Sequence, residues 1–172
     1  MSLDLAPALA HGLPNPIARF TSRLFSLLPA SLVMLILRLT LARPFFASGL
    51  TRWDGWFTLS FGTKTLFADE YRLHLLGREI AFPAPELFAL LTSAAEIALP
   101  ILLAFGLLTR YAALGLFGMT AVIQLVYPGG WQNFHLPWAA MALAIMAFGP
   151  GAISLDRLLS LDGWFDPLAR GR

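Results

Sequence analysis

Between Glu86 and Leu108 the chain reads ELFALLTSAAEIALPILLAFGLL, and after its first residue this run holds a single ionisable side chain, Glu96. About twenty mostly apolar residues are what an α-helix needs to cross ~30 Å of hydrocarbon. The run therefore predicts a membrane span. Three further stretches predict the same: about Leu28 to Leu50, interrupted by Arg38 and Arg43, about Tyr111 to Tyr127, and about Leu136 to Leu155. Too little polar sequence remains to cover four such helices in water. The fold class expected is all-α, a four-transmembrane-helix bundle with an N-terminal interfacial helix and a long outer loop between the first two spans.

Composition agrees. Of 172 residues, 58% are hydrophobic and 13% charged, and the mean hydropathy is +0.70, against ~45–50% apolar and ~25% charged in soluble domains. The net charge is +2 and the basic residues, all Arg except Lys64, are spread along the chain. No basic stripe forms, so nucleic acid is excluded as a partner. The absence of Cys removes disulfides, thiolate metal sites and iron–sulfur clusters, while His11, His74 and His135 lack metal-ligand spacing. No metal is expected, and any electron carrier must come from elsewhere. The first fifteen residues contain Asp4 and no basic segment before an apolar core, so a secretory signal is not expected.

Three regions follow. Residues 1–27 form an N-terminal segment in which Ile17, Phe20, Leu24 and Leu27 share one helical face, the pattern of an interfacial helix. Residues 28–155 form the four-helix domain, and residues 156–172 a tail. Outside the spans, Arg19, Arg23, Arg110, Arg157, Arg170 and Arg172 lie on the side of the termini, against Arg52, Lys64, Arg72 and Arg78 on the other. This bias predicts cytoplasmic termini. The loop from Thr51 to Pro85 carries seven Trp, Phe and Tyr residues among its charges, which predicts a segment lying on the outer membrane surface. Its pattern fits either a helix over Thr65–Leu76 or a hairpin around Gly62-Thr63. No internal repeat of the kind found in inverted-repeat transporters is seen.

Ionisable groups in hydrocarbon cost about 2.5–3.5 kcal/mol each, so Arg38, Arg43 and Glu96 are expected to face the bundle and find partners. At ~1.5 Å per residue from the outer ends, Glu96 is bracketed in depth by the two arginines. Two readings fit: an ionic clamp between helices, or a site whose surplus positive charge holds a quinone or small anion. Pro44 and Pro100 free the carbonyls of Thr40 and Glu96 beside these charges, which favours a small polar cavity. Near the outer end, Gln124 closes the third span, and Trp131, His135 and Trp138 read either as a cap over the bundle mouth or as an ordinary aromatic belt.

Three motifs carry a family resemblance: Arg38-Leu-Thr-Leu-Ala-Arg-Pro-Phe-Phe-Ala-Ser-Gly49, the stretch from Glu96 through Gly106-Leu-Leu-Thr-Arg110, and Gly149-Pro-Gly-Ala-Ile-Ser-Leu-Asp156. With them, residues 30–160 resemble the DoxX family of small four-helix bacterial membrane proteins. The resemblance implies a plasma-membrane location and company with redox systems, including a relationship to the membrane subunit of a thiosulfate:quinone oxidoreductase. The Tyr127-Pro to Trp138 stretch is similar to members that accompany metal-handling or peptide-modifying systems. The expected function is a non-catalytic accessory subunit linking a partner oxidoreductase, or a metal- or peptide-processing system, to the bilayer. A quinone is the one cofactor suggested and a homo-oligomer a further partner. The alternatives are a scaffold with a structural ion clamp and a small oligomeric channel or transporter.

Overall fold

The computed structural model describes residues 29–161; the expected interfacial helix lies outside them. Helix α1 spans Ala30–Leu50, followed by a small hairpin of β1 (Trp53–Gly55) and β2 (Thr58–Leu59). A short helix α2 (Phe61–Thr65) runs into a π-helical turn, Leu66–Glu70. A second hairpin, β3 (Arg72–Leu75) and β4 (Arg78–Ala81), leads to α3 (Pro85–Phe105) and α4 (Thr109–Val126). A 3-10 turn, Pro128–Gly130, and a π-helical turn, Trp131–His135, enter α5 (Leu136–Phe148) directly, and α6 (Leu155–Leu158) ends the described chain.

The boundaries have local causes. Pro85 opens α3 with a preset φ, and Gly106 at φ +69° closes it in the left-handed conformation that glycine takes at least cost. Ser60 caps α2 by accepting from Thr63 N at 3.1 Å. The amides opening α4 have no capping side chain of their own turn; Asp156 supplies it from a distance, accepting from Leu108 N at 2.7 Å and Thr109 N at 2.8 Å.

Among the described residues three helices are long and apolar enough to cross a membrane: Ala30–Leu50, Pro85–Phe105 and Thr109–Val126. These match the first three expected spans. The fourth is shorter than expected, 13 residues rather than a run to Leu155, because Gly149-Pro150-Gly151 breaks the helix after Phe148. The choice left open for the loop resolves into two hairpins with a helical segment between them. In the second, Arg72 pairs with Ala81 and Leu75 with Arg78.

The core gathers Met34, Leu41, Ala42 and Phe45 of α1 with Leu103 of α3, Leu116 of α4 and Ile145 of α5. Two glycines fix how α1 and α3 slide past each other. A Cβ on Gly49 would lie 2.9 Å from the Glu96 carbonyl oxygen, and one on Gly106 would overlap the Arg38 guanidinium. The helices are therefore antiparallel with Gly49 level with Glu96. The segment of α3 from Pro85 to Glu96, ~16 Å of helix, runs on beyond the end of α1. Strand β2, helix α2 and the Leu66–Glu70 turn pack against that overhang.

Candidate functional site

Because Gly49 lets the backbones touch, the Glu96 side chain meets the last turn of α1 and the residues just after it. Glu96 is 3% exposed. Its Oε2 accepts from Arg52 Nε at 2.9 Å, and its Oε1 accepts from Arg52 Nη2 at 3.4 Å and from Ser48 Oγ at 3.3 Å. This two-point contact is the planar match that Arg makes with a carboxylate. The loop holds Arg52 in place: its carbonyl accepts from Ser60 N at 2.9 Å and from Thr63 Oγ1 at 3.2 Å. Arg52 Nη1 also donates to the Tyr71 hydroxyl at 3.5 Å, and the guanidinium lies 6.0 Å from the centre of the Phe67 ring. Burial works against the Arg52 charge. The hydrogen bonds to Glu96 and Tyr71 outweigh it, and its pKa stands above the ordinary arginine value.

Aromatic rings wall the space beside this pair. Tyr71 packs edge-on to Phe67 at 5.1 Å and to Tyr127 at 5.6 Å, and Phe45 packs on Trp138 at 5.1 Å. Together they leave a cavity of about 200 Å³ whose polar lining is Ser48, Arg52, Tyr71, Thr92, Glu96 and Tyr127. Pro44 also faces it. Burial and a hydrogen bond with Tyr71 push the Tyr127 hydroxyl pKa up to about 12, so it stays a protonated donor at neutral pH. Tyr71, Tyr127 and Trp138 also line a wider groove that contains His135.

The expected clamp of Glu96 with Arg38 or Arg43 is corrected: the acid pairs with Arg52. The stagger set by Gly49 is the reason, since it puts Glu96 level with the last turn of α1 rather than with its middle. Arg38 is buried, 1% exposed, near the far end of the bundle. Its Nη2 donates to the Ile153 carbonyl, and its Nε and Nη1 have no partner among the described residues. Arg43 is exposed on the outside of α1 and does not reach Glu96. Gln124 and His135 meet: Nδ1 of His135 donates to Gln124 Oε1 at 2.6 Å, while Gln124 Nε2 donates to the Pro128 carbonyl at 3.1 Å. The His135 ring lies 5.6 Å from that of Trp138, and burial lowers the His135 pKa. Trp131 stands apart, 44% exposed, lining an apolar groove between α4 and α5. Among the described residues no group of three His, Asp or Glu could hold a metal ion.

Arg52, Tyr71 and Tyr127 were not among the residues that sequence reasoning selects. Arg52 counts there as a loop charge. The usable signal was Ser48-Gly49, a small-residue pair that marks a close helix contact, with Arg52 one turn later.

A model of the DoxX family matches residues 33–129, more than half of the chain, taking in Ser48, Arg52, Tyr71, Glu96 and Tyr127. No curated protein and no solved structure matches the chain.

Proposed function

Since the chain belongs to the DoxX family, we propose that it is a four-crossing protein of the bacterial inner membrane that binds the head of a small amphipathic molecule, a quinone, beside Glu96. Both termini are cytoplasmic, the hairpins lie outside, and the protein serves a membrane-associated oxidoreductase as a non-catalytic accessory subunit. One observation carries the ligand class: a mutually neutralised Glu96–Arg52 pair at the polar side of an aromatic-walled cavity. With the charges cancelled, the cavity favours a neutral head with hydrogen-bond acceptors over an anion, and the bonded pair of Tyr71 and Tyr127 leaves one hydroxyl proton free to donate to it. A cavity of ~150 Å³ suffices for benzene, so about 200 Å³ suits one substituted ring with its tail left in lipid.

The test is thermal. A short-chain quinone at a hundred times its Kd stabilises the folded state by ~2.7 kcal/mol, and the rise in melting temperature is expected to shrink in Tyr71→Phe and vanish in Glu96→Gln. No shift with any quinone, together with a phospholipid resolved in the cavity, overturns the reading. The completeness of the pair, with Ser48 filling the remaining site on Glu96, favours a second reading, a scaffold in which Glu96 and Arg52 pin α1 to α3. In that case the variants lose stability with no quinone effect to lose. The orientation is tested by single cysteines at Ser2 and at Asp69, which is exposed on the hairpin side: impermeant maleimide labelling of the first but not the second in intact cells overturns it.

A further inference from the structure

Three aromatic side chains on the first hairpin and the start of α2 are almost wholly exposed: Trp56 92%, Phe57 89% and Phe61 81%. The segment that presents them is well tied down. Trp53 pairs with Leu59 and Gly55 with Thr58. Asp54 Oδ2 accepts from Phe61 N at 3.3 Å, Ser60 Oγ accepts from Thr63 N, and Thr63 is buried.

The tip itself is costly. Phe57 sits at φ +60° in the two-residue connection between β1 and β2. Gly and Asn fill such positions cheaply, whereas a bulky side chain there is strained. An aromatic held at a strained, exposed position gains nothing from its own chain, so its favourable surroundings lie outside the molecule.

The neighbours show which surroundings. Phe57 shares a shallow recess with Lys64, with Glu86 at the start of α3 and with Leu87 and Leu90 of its first turns. Leu87 is 53% and Leu90 44% exposed, on the outward face of a helix long and apolar enough to cross a membrane. The aromatic tip thus continues the lipid-facing surface of α3 at the end where that helix begins. Trp and Phe beside a Lys are suited to the headgroup layer, with rings in the acyl boundary and the ammonium among phosphates.

We infer that Trp56, Phe57 and Phe61 form a preformed anchor seated in the headgroup layer of the leaflet that α3 enters. The anchor also fixes a depth. Arg52 immediately precedes β1, so the group that holds Glu96 is joined directly to the anchored hairpin, and Glu96 lies nine residues along α3 from Leu87, ~14 Å deeper.

Since the chain has no cysteine, the full-length protein in phosphatidylcholine–phosphatidylglycerol vesicles gives a clean test. A fluorophore is attached at Thr58→Cys, which leaves the three aromatics intact, and at Asp69→Cys as an aqueous reference. The label at position 58 is expected to be several-fold less accessible to iodide than the one at 69, and to be quenched by a headgroup-borne nitroxide. Adding Phe57→Gly, which relieves the backbone strain and so keeps the fold, is expected to raise iodide access at 58 and leave 69 unchanged. Equal iodide access at both sites overturns the proposal. So does a label at 58 shielded from iodide and lipid nitroxide alike, which would mean a second copy or another protein covers the tip, and so does a Phe57→Gly variant with unchanged shielding.

Discussion

The two ends of the bundle treat their charges differently. At the hairpin end, Glu96 and Arg52 meet side chain to side chain beside an open cavity. At the opposite end, charge is met mainly by backbone: Asp156 accepts from the Leu108 and Thr109 amides, the Asp156 amide donates to the Gly106 carbonyl at 2.8 Å, and Arg38 donates to the Ile153 carbonyl. Ser31 Oγ adds a bond from Ala152 N at 3.1 Å. Backbone partners cannot move without unwinding a turn, so this end acts as a seam joining α1, the α3–α4 turn and the segment before α6. A side-chain pair next to empty space can be rearranged by rotamers alone. Asp156 also borders a cavity, of about 340 Å³, so the two ends differ in the freedom of their charged groups rather than in the space beside them, and it is on that freedom that the proposed binding at the hairpin end rests.

The sharpest break between the two is Asp156→Ala. It leaves two helix-start amides unpaired in a partly buried turn, each charge-assisted bond being worth about 1.5–3 kcal/mol, so a loss of about 3–6 kcal/mol is expected. Thermal unfolding in detergent reads it. Equal or greater loss from Glu96→Gln would reverse the assignment of seam and site.

A cycle sharpens the picture next. Glu96→Gln and Arg52→Gln are expected to be non-additive by about 1–3 kcal/mol, whereas Glu96→Gln with Arg38→Gln is expected to be additive within ~0.5 kcal/mol. Coupling of Glu96 to Arg38 in the melting data would contradict the separation of the two ends.

A smaller effect follows from His135. Burial lowers its pKa below the ordinary value of 6.5, so in acid the unfolded state takes up a proton that the native state refuses. Stability contributed by the neutral ring is complete above pH ~6.5 and is lost as the pH falls through and below that value. Melting temperatures between neutrality and pH 5 should drop less in His135→Gln than in the parent. The smallest expectation concerns Arg43, exposed on the outside of α1 and out of reach of Glu96: Arg43→Gln and Glu96→Gln are expected to be additive within ~0.5 kcal/mol. Coupling between them would bring Arg43 back into the site.

Much of this architecture is legible in the sequence, for identifiable reasons. The long apolar runs dictate α1, α3 and α4, and a lone acid in such a run must be buried and partnered, so Glu96 stands out. Its partner is harder to read. Depth counted along separate helices assumes that their ends are level, and here Gly49 and Gly106 set a stagger that brings Arg52 to Glu96 and takes Arg38 away. The loop is opaque for another reason. Its two tight turns place Phe57 and Leu76 at positive φ, +60° and +50°, where the usual hairpin signal is Asn-Gly or Asp-Gly.

The shortness of α5 has a consequence for the lipid around the protein. This helix returns from the level of Gln124 to that of Arg110 with 13 residues, against 21 in α1 and in α3. At ~1.5 Å per residue it gives about 20 Å of α-helix, against about 27 Å in the 18-residue α4 on which it packs, with the Trp131–His135 turn extending it at one end. If α5 crosses the membrane as proposed, the hydrocarbon beside it must thin or the turn that precedes it must enter the apolar layer, each ångström of mismatch carrying a fraction of a kcal/mol. On that reading the α5 side is where a second thin-edged protein would reduce the combined deformation.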